Sequence, residues 1–434
     1  MELGPGYKHT EVGVIPKDWE VKTLREIAKI ATGNTPPTQQ AANYGDEFLF
    51  VSPVDLGEAK YITHTEKRLS KTGFAISRRF PKDTILFVCI GSTIGKTGIA
   101  PIELTSNQQI NAIFPSSAFW TEYLYYAVSS LATKIRALAG EQAVPIVNKT
   151  QFSKTSVALP PLPEQRAIAG ALSDVDALIS GLDRLIAKKR DLKQAAMQQL
   201  LTGKLRLPGC CQKPGYKQTE VGEIPEDWKV EALGDIFNIS GGFSASRAQL
   251  TSLGHCYLHY GDIHTSAKSF IDVRAEYLDI PKLNIPLKRV SSKSLLSDGD
   301  IVFVDASEDN EGTSKHVVVI NPEGVPYISG LHTIVAKGKT DSLDNGYKRY
   351  CFQTSDVKRQ FYFYAVGTKV SGISKTNIKK IFIPLPPIPE QTAIATVLAD
   401  MDAELDVLEQ RRDKTHDLKQ GMMQELLTGR IRLV

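Results

Sequence analysis

Three stretches of the chain carry residue types that could do chemistry. Gly91-Ser92-Thr93-Ile94-Gly95-Lys96-Thr97 follows the apolar run Thr84–Ile90 and looks like a phosphate-binding loop. A nucleotide loop needs four residues between its glycines so that the backbone wraps a phosphate, and here there are three. The corresponding region of the second half, Asp305–Gly312, carries acids instead. A tight turn presenting Lys96 is the simpler reading. His255, His259 and His264 form the densest histidine group, but no His/Cys spacing of a metal site is present, so these are read as scattered polar histidines. Neither Asn34-Thr35-Pro36-Pro37 nor Asn321-Pro322-Glu323-Gly324 meets the Asn/Asp-Pro-Pro-aromatic pattern with which methyltransferases hold a target adenine. The five cysteines (Cys89, Cys210, Cys211, Cys256, Cys351) form no C-x-x-C pair, and vicinal Cys210-Cys211 reads as an accident of an exposed linker. The residues point away from catalysis and towards binding.

What positions them is a doubled frame. Leu159-Pro160-Pro161-Leu162-Pro163-Glu164-Gln165 returns as Leu385-Pro386-Pro387-Ile388-Pro389-Glu390-Gln391, and the offset of 226 holds without a gap to Leu207 and Leu433. Repetition at this distance means two copies of a large unit. Each copy predicts one long helix. Pro163 and Pro389 suit the first helical position, a glutamate follows at the positive end of the dipole, and Gly203 and Gly429 fall where a C-terminal cap belongs. Apolar residues recur at alternating four- and three-residue steps: Ile168, Leu172, Val175, Ile179 and Leu182, then Ile394, Leu398, Met401, Leu405 and Leu408. About 38 residues at ~1.5 Å rise make a rod of roughly 57 Å, whose narrow seam needs a partner helix. The partner expected is the other copy, since Pro163–Leu207 carries a net +3 and Pro389–Leu433 a net −3. Polar Lys189 and Arg412 would then fix register or face a further chain.

A second repeat opens the chain. Gly6–Trp19 recurs as Gly215–Trp228 at an offset of 209, so the order is opening motif, variable body, long helix, then the same three again, the second body longer by 17 residues. Leu207–Gly215 reads as a linker. The bodies, roughly 20–158 and 229–384, predict strand-rich mixed structure, with strands at Thr84–Ile90, Ile301–Val304 and His316–Ile320 and helices at Trp120–Ala139 and Tyr347–Ala365. Divergent bodies between near-identical frames suggest two readers of different things.

At 434 residues the chain fits two to four domains, and its net charge of +4 is compatible with nucleic acid without implying it. No signal peptide is indicated at Met1–Gly6, and no apolar run approaches a membrane span. A reducing cytoplasm and no structural metal are expected.

The doubled Leu-Pro-Pro-Leu/Ile-Pro-Glu-Gln start, the long helix, the Leu-Leu-Thr-Gly-Lys/Arg-x-Arg-Leu close and the Gly-x-Ile-Pro-x-Asp-Trp opening (Gly13–Trp19, Gly222–Trp228) resemble the specificity subunit of type I restriction-modification enzymes over the whole chain. The turn Gly91–Lys96 also looks like one in that family's target recognition domains. The resemblance implies an α+β fold: two globular mixed α/β target recognition domains at 1–159 and 208–385, with conserved helical regions at 160–207 and 386–434 pairing antiparallel as a coiled coil. It implies a non-catalytic DNA reader whose two domains each contact one half of a bipartite, asymmetric site. Two modification subunits would dock on the helices and bring S-adenosylmethionine, and restriction subunits would add ATP- and Mg-dependent translocation and cleavage. No cofactor is expected in this chain.

Lys and Arg would position each body on phosphates, while Arg, Lys, Asn, Gln or His would read base edges. The candidates are Arg78, Arg79, Lys96, Asn107, Gln108 and Lys149 in the first body, and Lys315, His316, His332, Lys369 and Lys375 in the second. Two other classes remain open: a coiled-coil adaptor that never touches DNA, and a nucleotide-binding enzyme built on Gly91–Thr97. The target sequence and the gap between half-sites are not written in composition or spacing.

Overall fold

The structure, a computed structural model, describes residues 6–57, 59–140, 143–210, 213–266, 268–307, 315–366 and 371–433. The chain divides into two compact units, residues 1–183 with 410–434 and residues 184–409. The division cuts through the long helices, where the sequence reading had placed boundaries at their ends.

In the first unit, two four-stranded sheets form the body. One has the order Lys67–Leu69, Tyr44–Val51, Leu104–Ser106, Arg79–Phe80; the other Ile30–Thr32, Ile110–Ile113, Ile85–Val88, Thr97–Ile99. All four residues of Ile85–Val88 are buried, because the strand has a core on each face. Leu86 and Val88 join the layer between the sheets, while Ile85 and Phe87 face a second core with the helices and the opening motif.

The second unit repeats the plan with five strands in the larger sheet: Phe237–Gly241, Thr333–Gly338, Ile301–Val304, His316–Ile320, Phe270–Asp272. The smaller sheet runs Leu250–Thr251, Lys282–Leu283, His255–Leu258, Tyr327–Ser329. Ile301–Val304 is again split between two cores, Ile301 and Phe303 on one face and Val302 and Val304 on the other.

The repeated Pro-Pro stretches lead into two long helices, α1 (Leu162–Leu200) and α2 (Ile388–Leu426), 39 residues each. Pro163 and Pro389 fall at the second helical position rather than the first, which is equally tolerable because the first four N–H groups of a helix lack an internal acceptor. Of the expected seam, Ile168, Leu172, Ile179, Leu182, Ile394, Leu398 and Leu405 are buried, whereas Val175, Met401 and Leu408 are half-buried. The two shorter predicted helices are each interrupted. Trp120–Ala139 becomes Thr121–Ser130 and Ala132–Ala137, broken at Leu131. Tyr347–Ala365 becomes a 3₁₀ turn, Tyr347–Arg349, and the helix Ser355–Tyr364, which Thr354 caps by accepting from Val357 N.

Within each unit the helices pair antiparallel. In the first, Asp176 meets Lys419 at 2.6 Å and Asp183 meets Arg412 at 3.8 Å, so numbers rise along one helix as they fall along the other. In the second, the bases lie on α1 and the acids on α2: Lys189–Glu404 at 2.7 Å, Arg190–Glu409 at 2.5 Å and Lys193–Asp402. The net charge difference between the copies thus conceals two local patterns of opposite sense.

Each unit also ties its opening motif to a helix start and to the close of the other copy. Trp19 donates from Nε1 to Glu164 Oε2 at 3.0 Å, and Arg432 binds both Glu164 and Asp18. In the second unit Trp228 donates to Glu390 at 2.9 Å, and Arg206 binds both Glu390 and Asp227. The Arg432 hydrogen bond is the main reason that the Asp18 carboxyl lies below the ordinary carboxylate range. Gly203 and Gly429 sit at φ 71° and 68°, where an L side chain is strained, and they also pack against the motif. A Cβ at Gly203 would lie 2.4 Å from Pro225 Cγ, and one at Gly429 2.5 Å from Pro16. The two sequence repeats are therefore the halves of one packing interaction, used once per unit.

A second polar tie holds each body to its helices. Tyr126 donates to Asp176 Oδ2 at 2.5 Å while Lys419 binds the other oxygen; Tyr350 donates to Asp402 at 2.7 Å while Lys193 does the same. Burial first and the neighbouring aspartate second push both phenols upwards. The first unit adds Lys60, whose Nζ reaches Glu122 at 2.9 Å and Ser173 at 2.7 Å. Burial opposes the charge on Glu122, but hydrogen bonds from Tyr61 and Lys60 outweigh it and hold its carboxyl below the usual value.

Candidate nucleic-acid interface

The loop Gly91–Thr97 joins two antiparallel strands, Ile85–Val88 and Thr97–Ile99, as a hairpin, with Phe87 opposite Thr97. Positive φ at Gly91 (94°) and Gly95 (108°) makes the turn possible, and no helix N-terminus follows to receive a phosphate. The turn instead lays the Lys96 stem against Gly57 and sends it to line a cleft of about 900 Å³ on the first body. Asn107 and Gln109 line the same cleft, Asn107 Nδ2 donating to Gln109 Oε1 at 2.9 Å. Gln108 stands beside it, accepting from the Thr35 hydroxyl at 2.5 Å.

The other first-body candidates are exposed but elsewhere. Arg78 donates to Thr32 O, and its own N–H is taken by Asn34 Oδ1 at 2.6 Å. Arg79 lies over the Phe74 ring, 5.8 Å from its centroid. Lys149 begins the short helix Lys149–Ser153 behind the Asn148 cap. The cleft brings together Lys96 and Asn107 and leaves Arg78, Arg79 and Lys149 outside its lining.

In the second body, Lys315 and His332 converge on Tyr260 and His264. Lys315 Nζ donates to His264 O at 2.6 Å, and the His264 and His332 rings stand edge-on to Tyr260, with centroids 6.1 and 5.4 Å away. His332 adopts φ 58° and pairs with Asp305 at 3.2 Å. His259 stacks on the same tyrosine and accepts from Gly261 N; burial and then Arg247 hold its pKa below the ordinary histidine value. Lys375 begins the helix Lys375–Ile378, and its ammonium lies against Gly241.

One candidate is corrected. His316 is only 5 % exposed, on a strand with four buried residues, with its ring 4.7 Å from that of Phe352 and 5.5 Å from that of Phe303. The β-branched run that makes His316–Ile320 recognisable is covered on both faces, with Val318 in one core and Val317 and Val319 in the other, so its first side chain is buried as well. Lys369, and Glu308–Gly312 of the acidic stretch opposite the hairpin, lie outside the described residues.

The pairing registers show which positions of the two bodies correspond. Val51 pairs with Ser106 as Leu258 pairs with Ser329, and Asn107 N and Gly330 N then bond Val51 O and Leu258 O, each at 2.9 Å. Counting on, Gln109 corresponds to His332. Gln109, Arg68 and Tyr260 were not among the sequence candidates, and nothing in the local sequence distinguishes them from their polar neighbours. Among the described residues no cluster of His, Cys, Asp or Glu could hold a metal ion, and no helix is long and apolar enough to cross a membrane.

Two different polar surfaces, each carried on the same sheet plan and tied to the same kind of helix pair, define a two-reader protein. The family model of the type I restriction modification DNA specificity domain matches the chain twice, over residues 16–188 and 225–415. The chain is 29 % identical to the putative type I restriction enzyme MjaX specificity subunit of Methanocaldococcus jannaschii, covering 98 % of this chain and 97 % of that one. It is 21 % identical to the EcoKI specificity subunit of Escherichia coli, over 96 % and 90 %. Among solved structures, the S subunit of a type I system from M. genitalium superposes with a TM-score of 0.54 at 15 % identity, over 98 % of each chain. A chain from a study of complex assembly and conformational transition in a type I system gives 0.58 at 17 %, over 96 % and 99 %. The protein belongs to the type I restriction-modification DNA specificity family, and its role is DNA recognition.

Proposed function

We propose that each body reads one half of a bipartite, asymmetric DNA sequence, and that the chain itself performs no catalytic step. The observation that carries this reading is the contrast between bodies: an amide and cation cleft at Lys96, Asn107 and Gln109 in one, a histidine and tyrosine cluster at the corresponding loop of the other. Amide and histidine side chains read base edges in the major groove, with Lys96 beside them to hold a phosphate, and unlike sets read unlike sequences. The helices α1 and α2 each contribute residues to both compact units, so their length would set the number of unread base pairs between half-sites. Two modification subunits would dock on the helical regions and supply S-adenosylmethionine and adenine methylation. Restriction subunits would supply ATP- and Mg-dependent translocation and cleavage, all in the cytoplasm.

Exchange of residues 20–158 for the matching body of another family member tests the reading, with methylated adenines mapped across the host genome. A reader changes one half of a split motif and keeps the other half and the gap. An unchanged motif would favour an adaptor that holds subunits together without touching DNA.

A further inference from the structure

The cleft on the first body holds a cation that the frame does not use. Arg68 lies on the edge strand Lys67–Leu69, its Cα paired with that of Leu49, and lines the cleft with Lys96, Asn107 and Gln109. Its Nε is buried and has no hydrogen-bond partner among the described residues, although Asp46 and Glu66 line the same cleft. The Arg68 side chain makes no hydrogen bond or ion pair among the described residues, and because Nε is closed off from solvent it is the two Nη groups that a ligand in the cleft would meet.

The second body supplies a control. Cys256 occupies there the register position of Leu49, and its partner Lys282 corresponds to Arg68. Lys282 is 4 % exposed, and its ammonium is bound by Tyr277 O and Ile280 O, the latter at 2.6 Å. At the same point in the plan, one cation is consumed by its own fold and the other is not.

Around Arg68 the cleft is rich in donors. Gln109 Oε1 is already taken by Asn107, which leaves its Nε2 as a donor, and Lys96 offers only N–H groups. Among the four bases, guanine presents two adjacent acceptors in the major groove, O6 and N7, and the planar fork of an arginine matches them with two parallel hydrogen bonds. The carboxylates of Asp46 and Glu66 are of the type that accepts from the N4 amino group of the paired cytosine.

We propose that Arg68 is the specificity-determining side chain of the first body, reading a guanine of the first half-site through O6 and N7. The inference rests on the reading of the protein as a two-part DNA reader. The full chain, assembled with its modification subunits, is tested against duplexes carrying its own target, first with every base pair of the first half-site replaced in turn. Arg68→Ala is expected to lose discrimination at one G·C position only, leaving the second half-site unaffected. At that position, replacing guanine with 7-deazaguanine, which lacks the N7 acceptor and keeps base pairing, should weaken the wild-type complex about ten- to hundredfold and the Arg68→Ala complex hardly at all. Arg68→Lys keeps the charge without the fork and should not restore discrimination; full restoration by lysine would overturn the proposal. Equal weakening at every position would make Arg68 a phosphate contact and equally defeat it. If the wild-type assembly showed no preference anywhere in the first half-site, the two-reader account itself would fall first, a different result from selective binding that ignores Arg68.

Discussion

Arg206 grips Glu390 with two parallel hydrogen bonds, Nε to Oε1 at 2.6 Å and Nη2 to Oε2 at 2.8 Å, and the carboxylate side chain is only 2 % exposed. The same Oε2 accepts from the Trp228 indole. Removing the acid would leave the Arg206 Nε and the Trp228 indole N–H without an acceptor, although Asp227 still holds the guanidinium through Nη1 and Nη2. Two buried donors left unsatisfied should lower the stability of Glu390→Ala by about 2–4 kcal/mol, read as an earlier midpoint in urea.

Tyr126 and Tyr350 offer a milder test of the body-to-helix tie. Each phenol donates to an aspartate that a lysine also holds, so its loss leaves the carboxylate still paired. Tyr126→Phe should cost about 1.5 kcal/mol, the low end for a hydrogen bond to a charged group. Hydrogen exchange should locate the loosening around Asp176 and leave the core of residues 184–409 protected.

Acid should weaken the first unit through Glu122. Burial disfavours its charge, but hydrogen bonds from Tyr61 and Lys60 outweigh that and hold its folded pKa below the ordinary carboxylate range, so the linked stability is present above its unfolded value of about 4.3. That contribution is lost as pH falls through the lower folded value. Glu122→Gln cannot titrate, so the difference in stability between wild type and variant should shrink between pH 6 and pH 3.

Lys96 is the cation that the hairpin turn delivers to the first cleft. Lys96→Ala should weaken DNA binding by the assembled enzyme for all sequences alike and reduce the slope of log affinity against log salt by about 0.9, the value for one phosphate contact. An unchanged slope would remove Lys96 from the interface.

The sequence reading succeeded where physical cause is repeated or periodic. The doubled Leu-Pro-Pro stretches announced α1 and α2, and short β-branched and aromatic runs between turn residues announced Ile301–Val304 and His316–Ile320. It could not foresee why the repeats exist, since the contact of Arg432 with Asp18 and Glu164 joins three segments distant in the chain. It chose Gln108, although Gln109 lines the cleft, because which of two adjacent amides faces inward depends on the turn after Ser106. It took His316 for a surface reader because a polar type at the start of a β-branched run does not reveal that both faces of the strand are covered.

The make-up of the two units has a consequence for how the chain leaves the ribosome. Residues 184–409 are one unbroken span and can finish folding as soon as they are made, whereas residues 1–183 must wait for 410–433 to cover Ile168 and Leu172 and to bring Arg432 to Glu164. At about 5–20 residues per second, that wait lasts on the order of tens of seconds. The half synthesised first is completed last, and for that interval its apolar helix face is the part of the nascent protein most in need of a chaperone.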